Sequence, residues 1–297
     1  PNENWILDRI AKEWFLSYPE TNTDLKKADV IWLLSSWQWS MIPLSILANK
    51  KVVATVHHVV PEKFTKNSLR DFVSRDKFVD EYHVPCDKTG QFISRITKKP
   101  INIIGYWYNS DTWHPGNRAE ARTSLGIPDD KYVIGSFQRD TEGHDLKSPK
   151  LEKGPDLLVE YIKKVDKENI LSLLGGWRRQ YVISRLNELN IDYKYIEMAP
   201  VEKLRDMYAA CDLYVVASRC EGGPQALMEA SAMRIPIVSR DVGMARDTLA
   251  DSCIIDIPNN IYYPIDRDIE ICYDKTHNYE LKKKVKEYHE MFSKILE

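Results

Sequence analysis

The chain has 297 residues, of which 43% are hydrophobic and 29% are charged, a balance that predicts a folded protein of two domains. Its 42 basic residues offset 44 acidic ones, so the strongly basic surface of a nucleic-acid-binding protein is not expected. We expect neither a membrane span nor a signal peptide, because no apolar run approaches the roughly 20 residues that cross a bilayer. Five scattered cysteines indicate reduced thiols, mostly small core residues, in a cytoplasmic protein.

The first half begins with an amphipathic helical pattern over Trp5–Ser17. Strand-like and helical runs then alternate, which is typical of a parallel sheet. The predicted strands are Val30–Leu34, Val52–Val56, Phe78–Val84 and Ile101–Ile104, and the helices between them include Ser40–Ala48 and Asp87–Ile96. Such a domain normally opens on a strand, and none precedes the first helix. We expect that the sequence starts inside a longer domain; an unusual domain is the alternative.

The second half shows the same alternation more clearly. Its predicted strands are Tyr132–Phe137, Ile170–Leu174, Tyr193–Ile196, Leu213–Ala217, Ile235–Ser239 and Ser252–Ile255. Its predicted helices are Pro155–Lys164, Arg178–Leu189, Val201–Ala210, Pro224–Met233, Met244–Leu249 and a terminal helix within Asn278–Glu297. With Gly105–Gly116 as the linker, we expect domains over residues 1–114 and 115–274, followed by a C-terminal helix over 275–297 that could return to the first domain.

The densest group of candidate functional residues follows the fourth strand of the second half. Glu221 comes first, then Gly222 and Gly223, and Pro224 opens a helix that carries Glu229. This order places a carboxylate, pliable backbone and free helix N–H groups at the carboxyl edge of a parallel sheet, where ligands of such folds bind. The two carboxylates would stand about 10 Å apart, roughly the distance from sugar ring to ribose in an extended nucleotide sugar. The alternative is a helix-start carboxylate that is stabilised by the helix dipole, together with a solvated helix glutamate.

A second group of candidates is cationic. Arg139 follows the strand Tyr132–Phe137, and Lys153 comes after a polar loop, directly before Gly154 and the next helix. Cationic side chains at strand and helix ends of one domain can converge on a diphosphate and neutralise the charge that grows on a leaving group. A surface lysine at the end of a charged loop is the alternative for Lys153.

These two groups resemble the retaining glycosyltransferases of the two-domain GT-B fold, specifically glycosyltransferase family 4. Glu221 and Glu229 match the family's Glu-x7-Glu motif, and Arg139 with Lys153 matches its Arg followed by Lys-Gly. The loop between Arg139 and Lys153 is longer than in many members. The likeness is good over residues 101–256 and loose before them. It implies an α/β protein of two Rossmann-like domains that face each other across a cleft.

The resemblance also implies a role for each matched residue. Arg139 and Lys153 would bind the diphosphate of a nucleoside diphosphate sugar, Glu229 would bind the ribose hydroxyls, and Glu221 would contact the transferred sugar. Two turns supply the remaining donor-binding residues. Gly222 and Gly223 lie in the turn after Glu221, and Glu197 and Met198 lie in a turn that resembles the base-binding turn of the family.

In the first half, the strand Val52–Val56 runs into a Thr-x-His sequence like the one that places a histidine beside the donor sugar in this family. His57 is the matching residue and could bond a sugar hydroxyl or the reacting centre, although a structural histidine is the alternative. Trp37 and Trp39 suit either an acceptor platform or the core. The family's glycine-rich first loop is absent, and Asn2–Trp5 stands in its place.

The sequence Asp266-Arg267-Asp268 resembles the metal-binding Asp-x-Asp of the other large glycosyltransferase fold. It lies after the last predicted strand, so we expect a solvated turn and no metal ion. Cationic side chains and a helix N-terminus can supply the charge that a metal ion would supply.

Together these observations predict a metal-independent, cytoplasmic glycosyltransferase that needs no cofactor besides its nucleotide-sugar donor. It would transfer the sugar with retention to a hydroxyl of a carbohydrate or lipid-linked acceptor, in polysaccharide or glycoconjugate synthesis. Glu221 would position and stabilise rather than attack. Peripheral contact with a membrane surface stays open. The alternatives are a nucleotide-sugar 2-epimerase of the same fold and a non-catalytic nucleotide-sugar-binding paralogue.

Overall fold

A computed structural model describes residues 6–297 of the chain, so the Asn2–Trp5 segment lies outside the described residues. The chain divides into two units. The first comprises the residues up to Trp107 together with Leu281–Glu297, and the second is Tyr108–Glu280. Each unit contains its own parallel β-sheet, as the alternation of strand-like and helical patterns predicts.

Strands and helices alternate along both units. The strands are β1 (Val30–Leu33), β2 (Lys51–Thr55), β3 (Glu81–Val84), β4 (Ile101–Ile103), β5 (Tyr132–Phe137), β6 (Thr141–Glu142), β7 (Ser148–Pro149), β8 (Ile170–Gly176), β9 (Asp192–Glu197), β10 (Leu213–Val216) and β11 (Ile237–Ser239). The α-helices are α1 (Ile6–Ser17), α2 (Leu44–Leu47), α3 (Lys66–Asp76), α4 (Asp87–Ile93), α5 (Arg118–Leu125), α6 (Pro155–Lys164), α7 (Gln180–Glu188), α8 (Val201–Ala209), α9 (Gln225–Ala232), α10 (Ala245–Thr248), α11 (Asp266–Thr276) and α12 (Leu281–Lys294).

The sheet of the first unit has the order β1-β2-β3-β4, and every neighbouring pair is parallel. Its central strands β2 and β3 are mostly buried, and Leu47 of α2, Phe72 of α3 and Ile93 of α4 pack into the same apolar core. The C-terminal helix α12 belongs to this unit, where the ring of Phe292 lies 5.4 Å from that of Trp14 in α1.

The sheet of the second unit has the order β11-β10-β5-β8-β9, and its paired strands are parallel. Every residue of β10 is buried, as expected for a strand with helices on both faces. The direction of winding reverses between β5 and β10, because the chain builds outward from β5 first to one side and then to the other. Open α/β sheets bind ligands at the carboxyl ends of the strands at such a reversal.

The predicted strands of the second half lie within two residues of the observed bounds, with one exception. Ser252–Ile255 is not a strand: a short 3-10 turn occupies Asp251–Cys253, and a single bridge joins Ile254 to Ser239. The prediction of a continuous helix over Ser40–Ala48 is also wrong, since a 3-10 turn and α2 are separated there by Pro43. Proline disfavours helical geometry in the preceding residue and has no N–H to donate.

Three helices, α3, α5 and α11, were not predicted, because each buries few apolar side chains. The solvated turn predicted at Asp266-Arg267-Asp268 is wrong, since these residues begin α11. The carboxylate of Asp268 is buried and accepts hydrogen bonds from the hydroxyls of Ser252 and Tyr262, at 2.5 and 2.6 Å. The five cysteines are free, and four of them are buried, which confirms their prediction as mostly core residues.

One close backbone contact determines how the loops of the second unit meet. Gly154, between Lys153 and α6, has a φ of +61°, in the left-handed region. A Cβ atom at this position would lie 2.0 Å from the carbonyl oxygen of Ala217, just after β10. Only glycine allows this approach, which brings the Lys153 loop against the segment that begins at Ser218.

We expect Gly154→Ala to lower the free energy of unfolding of the second unit by more than about 3 kcal/mol, because the left-handed strain and the collision with Ala217 add together. Gly126→Ala is the matched control: its φ is also +61°, but the nearest atom to an added Cβ is the Lys194 Nζ at 3.9 Å. The control should lose only about 1 kcal/mol. Urea unfolding followed by circular dichroism compares the two, and equal losses would contradict the backbone contact.

Two histidines, His83 and the half-buried His57, lie at the ends of the central strands of the first unit. His83 of β3 is fully buried; its Nε2 donates to the Ile104 carbonyl at 2.8 Å and its Nδ1 lies 3.0 Å from the Thr55 hydroxyl. His57 has the same pattern, with Nε2 donating to the Leu34 carbonyl at 2.8 Å and Nδ1 contacting the Tyr106 hydroxyl. Burial lowers the pKa of each imidazole to about 4. Both rings are therefore neutral at pH 7.

The first unit should lose stability as the pH falls from 6.5 towards 4. An unfolded histidine binds a proton near pH 6.5, whereas the folded His83 does so only near pH 4, so protons favour the unfolded state within this window. Between pH 7 and 5 this histidine alone contributes a loss of about 2 kcal/mol. His83→Gln should show a correspondingly shallower acid dependence in denaturant titrations. Exposed His144→Gln is the control, and an unchanged slope in His83→Gln would contradict the assignment.

Candidate functional site

The winding reversal of the second sheet brings together the segments that follow β5 and β10. Gln138 and Arg139 follow β5, and Ser218 and Glu221 follow β10. The turn between β7 and α6, which carries Lys153, joins them because Gly154 contacts the Ala217 carbonyl. These segments form the candidate site.

Lys153 and Glu221 are in direct contact. The Nζ atom of Lys153 lies 2.6 Å from Oε1 of Glu221, and these side chains are 20% and 9% exposed. The Ser218 hydroxyl lies 3.0 Å from the same carboxylate oxygen. Within residues 6–297, Oε2 of Glu221 has no hydrogen-bond partner, although it is not sealed from solvent. One oxygen therefore holds the carboxylate in place, and the other can still accept a hydrogen bond.

Gln138 links the loops to one another. Its amide nitrogen donates to the Lys153 carbonyl at 2.8 Å, and its amide oxygen lies 3.2 Å from the Ser218 hydroxyl. The backbone N–H groups of Arg219 and Cys220 donate to the carbonyl of Glu152, at 2.9 and 3.1 Å. The sequence analysis did not select Gln138; its position beside Arg139 at a strand end is the signal that could have identified it.

Arg139 follows Gln138 directly, but its side chain takes another direction. Its Nε donates to the Thr141 carbonyl at 3.0 Å, and its guanidinium carbon lies 4.9 Å from the centre of the Trp177 ring. In the part of the chain that the structure describes, no ion pair or hydrogen bond joins it to Lys153 or Glu221. The structure thus brings Lys153 and Glu221 into contact and places Arg139 on the adjoining strand end.

The glycines after Glu221 allow a second close approach. A Cβ atom added to Gly243 would lie 2.1 Å from the carbonyl oxygen of Gly222. The turn before α9 therefore packs closely against the turn after β11. Gly223 is half-buried in the same turn. This packing sets the position at which α9 begins, with its first N–H groups next to the Glu221 loop.

Glu229 lies inside α9 and is 4% exposed. One carboxylate oxygen accepts a hydrogen bond from the hydroxyl of Tyr208 at 2.8 Å. Burial raises the pKa of Tyr208 well above its usual value, so this hydroxyl keeps its proton and donates it. Glu229 is therefore anchored from α8 and is more enclosed than Glu221.

Glu197 and Met198 lie at the end of β9, at the edge of the sheet, and both are exposed. Met198 has a φ of +46°, and its N–H donates to the carbonyl of Gly176 at 3.4 Å. This turn therefore follows the end of β8 closely. Because β9 is the neighbour of β8 and β8 is the neighbour of β5, this turn lies on the same sheet edge as the other candidate segments.

His57 belongs to the first unit, after β2. Both of its ring nitrogens have partners, the Leu34 carbonyl and the Tyr106 hydroxyl. For this imidazole to bond a sugar hydroxyl, one of these two hydrogen bonds must break. Its role at the donor stays a prediction.

Trp37 and Trp39 differ in their surroundings. Trp37 is 49% exposed, whereas the ring nitrogen of Trp39 donates to Asp71 at 3.1 Å and its ring packs at the margin of the first core. The acceptor-platform hypothesis therefore suits Trp37 better than Trp39.

Among residues 6–297, no group of three or more histidine, cysteine, aspartate or glutamate side chains is arranged to hold a metal ion. Over the same residues, every helix is too short or too polar to traverse a lipid bilayer.

Comparison with known proteins shows what the chain is similar to. The family model for glycosyl transferases group 1 matches residues 117–258, which make up the greater part of the second unit. The match includes Arg139, Lys153, Glu221 and Glu229.

Two curated relatives each match about half of the chain. The alpha-galactosylglucosyldiacylglycerol synthase of Streptococcus pneumoniae is 23% identical over 163 residues, which cover 50% of this chain and 40% of that protein. A D-inositol 3-phosphate glycosyltransferase of Xylanimonas cellulosilytica is 30% identical over 164 residues, which cover 51% of this chain and 37% of that protein. The chain therefore matches less than half the length of either relative.

Solved structures match nearly the whole chain. Anabaena HepE, in complex with UDP and glucose, has a TM-score of 0.73 at 14% identity, over 99% of this chain and 84% of that one. Sucrose-phosphate synthase from Thermosynechococcus elongatus has a TM-score of 0.69 at 16% identity, over 99% and 80%. These neighbours confirm the predicted α/β fold of the GT-B type. The chain thus has the GT-B fold, and its residues 117–258 match the family model for glycosyl transferases group 1.

Proposed function

We propose that this protein is a retaining glycosyltransferase, which transfers a sugar from a nucleoside diphosphate sugar to an acceptor hydroxyl. The observation that carries the proposal is the contact between Lys153 and Glu221 at the winding reversal of the second sheet. It pairs a cation suited to a diphosphate with a carboxylate suited to a sugar, within a segment that matches group 1 glycosyltransferases. Anabaena HepE, which shares the fold, was solved with UDP and glucose.

The donor diphosphate is held by cationic side chains and by the start of α9. Arg139 suits this role because its Nε is fixed by the Thr141 carbonyl, while its two terminal nitrogens have no protein partner within residues 6–297. Two free N–H groups on one plane match two phosphate oxygens. Lys153 keeps further N–H donors while it contacts Glu221. Together they stabilise the charge that develops on the leaving diphosphate, and we propose that no metal ion is needed.

The rest of the donor follows the sheet edge. Glu221 accepts a hydrogen bond from the sugar through Oε2, since Lys153 and Ser218 occupy Oε1. Glu229, anchored by the Tyr208 hydroxyl, binds the ribose. Backbone groups of the remaining turn residues complete the site: Gly222 and Gly223 beside the phosphates, Glu197 and Met198 beside the base. His57 is proposed at the sugar, subject to release from one of its present partners.

The reaction passes through an oxocarbenium-like transition state in which the sugar is stabilised by the departing diphosphate. A Glu221 carboxylate held by an ammonium and a hydroxyl is suited to positioning and electrostatic support rather than to covalent attack. The acceptor is a hydroxyl of a carbohydrate or a lipid-linked carbohydrate, in polysaccharide or glycoconjugate synthesis. We propose a cytoplasmic location, with peripheral contact to a membrane surface if the acceptor is lipid-linked.

We expect Glu221→Gln to retain the fold and to lower transfer by roughly 100-fold, because the amide cannot accept a charge-assisted hydrogen bond from the sugar. Donor binding should change little, since Lys153 remains. The measurement is release of the nucleoside diphosphate and formation of the glycosylated product across an acceptor panel. Glu188→Gln, in an exposed pair with Arg185, is the control. Full transfer by Glu221→Gln would remove this residue from the mechanism.

Lys153→Met should have a different effect, because it removes a contact to the diphosphate rather than to the sugar. We expect the affinity for the nucleoside diphosphate itself to fall about 10-fold in isothermal titration calorimetry. Lys163→Met, whose ammonium pairs with Glu160 on the surface of α6, is the control. Incubation with donor alone is a further check: conversion of its sugar to an epimer without acceptor would contradict transfer, and binding without turnover would indicate a non-catalytic protein.

A further inference from the structure

Two arginines lie over one indole ring at the carboxyl edge of the second sheet. The guanidinium carbon of Arg139 is 4.9 Å from the centre of the Trp177 ring, and that of Arg178 is 4.4 Å from it. The two cations are thus no more than about 9 Å apart. Neither Trp177 nor Arg178 belongs to the residues matched from the family motifs. Their shared position identifies an unassigned cationic site.

Both guanidiniums are held in place by the β6–β7 hairpin. The Nε of Arg139 donates to the carbonyl of Thr141, and Nη1 of Arg178 donates to the carbonyl of Gly143, each at 3.0 Å. The hairpin is tied back in turn, because the N–H groups of Asp140 and Thr141 approach the carbonyl of Arg178, at 3.3 and 3.0 Å. A backbone carbonyl and an aromatic face orient each cation without neutralising it.

Neither of these arginines has a carboxylate partner among residues 6–297. The neighbouring arginine is the opposite case: Arg179 is fully buried and paired with Asp140. Two like charges at this separation repel each other. An anion bound by both guanidiniums reduces that repulsion and meets terminal N–H groups that have no protein partner among residues 6–297. The arrangement therefore favours a ligand with concentrated negative charge.

The order of the strands indicates which part of a ligand lies there. Along the sheet edge, β10 with Glu221 comes first, then β5 with Arg139, β8 with Arg178, and β9 with Met198. Neighbouring strands are about 4.8 Å apart, so the four strand ends span roughly 14 Å. An extended nucleotide sugar with its sugar at β10 and its base at β9 places its diphosphate over β5 and β8.

We propose that Arg178 is a second guanidinium contact for the donor diphosphate, and that Trp177 is the positioning residue that holds Arg139 and Arg178 around it. This inference rests on the proposed function. The diphosphate of the nucleotide is the ligand group that Arg178 contacts, on the side nearer the base. The long loop between Arg139 and Lys153 contains the β6–β7 hairpin, whose carbonyls orient both guanidiniums.

Calorimetric titration of Arg178→Met tests the proposal. The probes are UDP, GDP and ADP, and then the free nucleoside of whichever diphosphate binds the wild-type protein most tightly. We expect Arg178→Met to weaken the diphosphate about 10-fold and to leave the free nucleoside unchanged. Arg185→Met is the matched control: Arg185 also stacks on an aromatic ring, that of Tyr181 at 5.5 Å, but it pairs with Glu188 on the surface. The control should bind like wild type.

The outcomes separate the two proposals. If the wild-type protein binds a nucleoside diphosphate and Arg178→Met binds it equally well, the role of Arg178 is overturned and the donor site stands. If the wild-type protein binds none of the three diphosphates, both proposals are overturned. Trp177→Leu and Trp177→Phe provide a second test with folding checked by circular dichroism: Leu should lose diphosphate affinity and Phe should keep most of it, because only Phe retains an aromatic face. Equal affinities would contradict the positioning role.

Discussion

The contact between Gly154 and the Ala217 carbonyl is the constraint on which the candidate site depends. The two segments that it joins are far apart in sequence, and each carries one member of the Lys153–Glu221 pair. Because the two backbones are in contact, the Lys153 ammonium and the Glu221 carboxylate can pair with a smaller loss of conformational entropy. The result is an ion pair in which one carboxylate oxygen can still accept a hydrogen bond, and Arg139, on the adjoining strand end, has no carboxylate partner among residues 6–297. A polar ligand that carries both hydroxyls and phosphates complements this combination.

The fold of the second unit could be predicted well from the sequence, because its central strands β5 and β10 are apolar runs that are mostly buried. The residues of β10, Leu213–Val216, are the clearest example. The prediction of secondary structure failed for segments whose side chains are only partly buried. The helix α3 is exposed along most of its length and buries only Phe72 and Arg75, so its apolar periodicity is weak. The Ser252–Ile255 run is apolar enough for a strand, but the sheet gives it a single bridge, and a 3-10 turn forms instead.

The sequence identified candidate residues for the site but not the contacts between them. Residue type and spacing identified Arg139, Lys153 and Glu221, and the structure places them on adjoining segments of one sheet edge. The direct pairing of two of them depends on a left-handed glycine and a carbonyl 63 residues later, which no local pattern reveals. Trp177 was not selected for a similar reason, since Arg139, which also lies over its ring, is in a different loop far away in the sequence.

Hydrogen exchange tests the central claim, that the donor binds along the strand ends of the second sheet. Mass spectrometry would compare amide exchange with and without the nucleoside diphosphate that gives the largest thermal shift. The account predicts slower exchange in four separate segments, residues 136–141, 150–156, 175–181 and 217–226, and no comparable change in the helices α10 and α11. Protection confined to other parts of the chain, with 150–156 and 217–226 unchanged in a saturated complex, would contradict it.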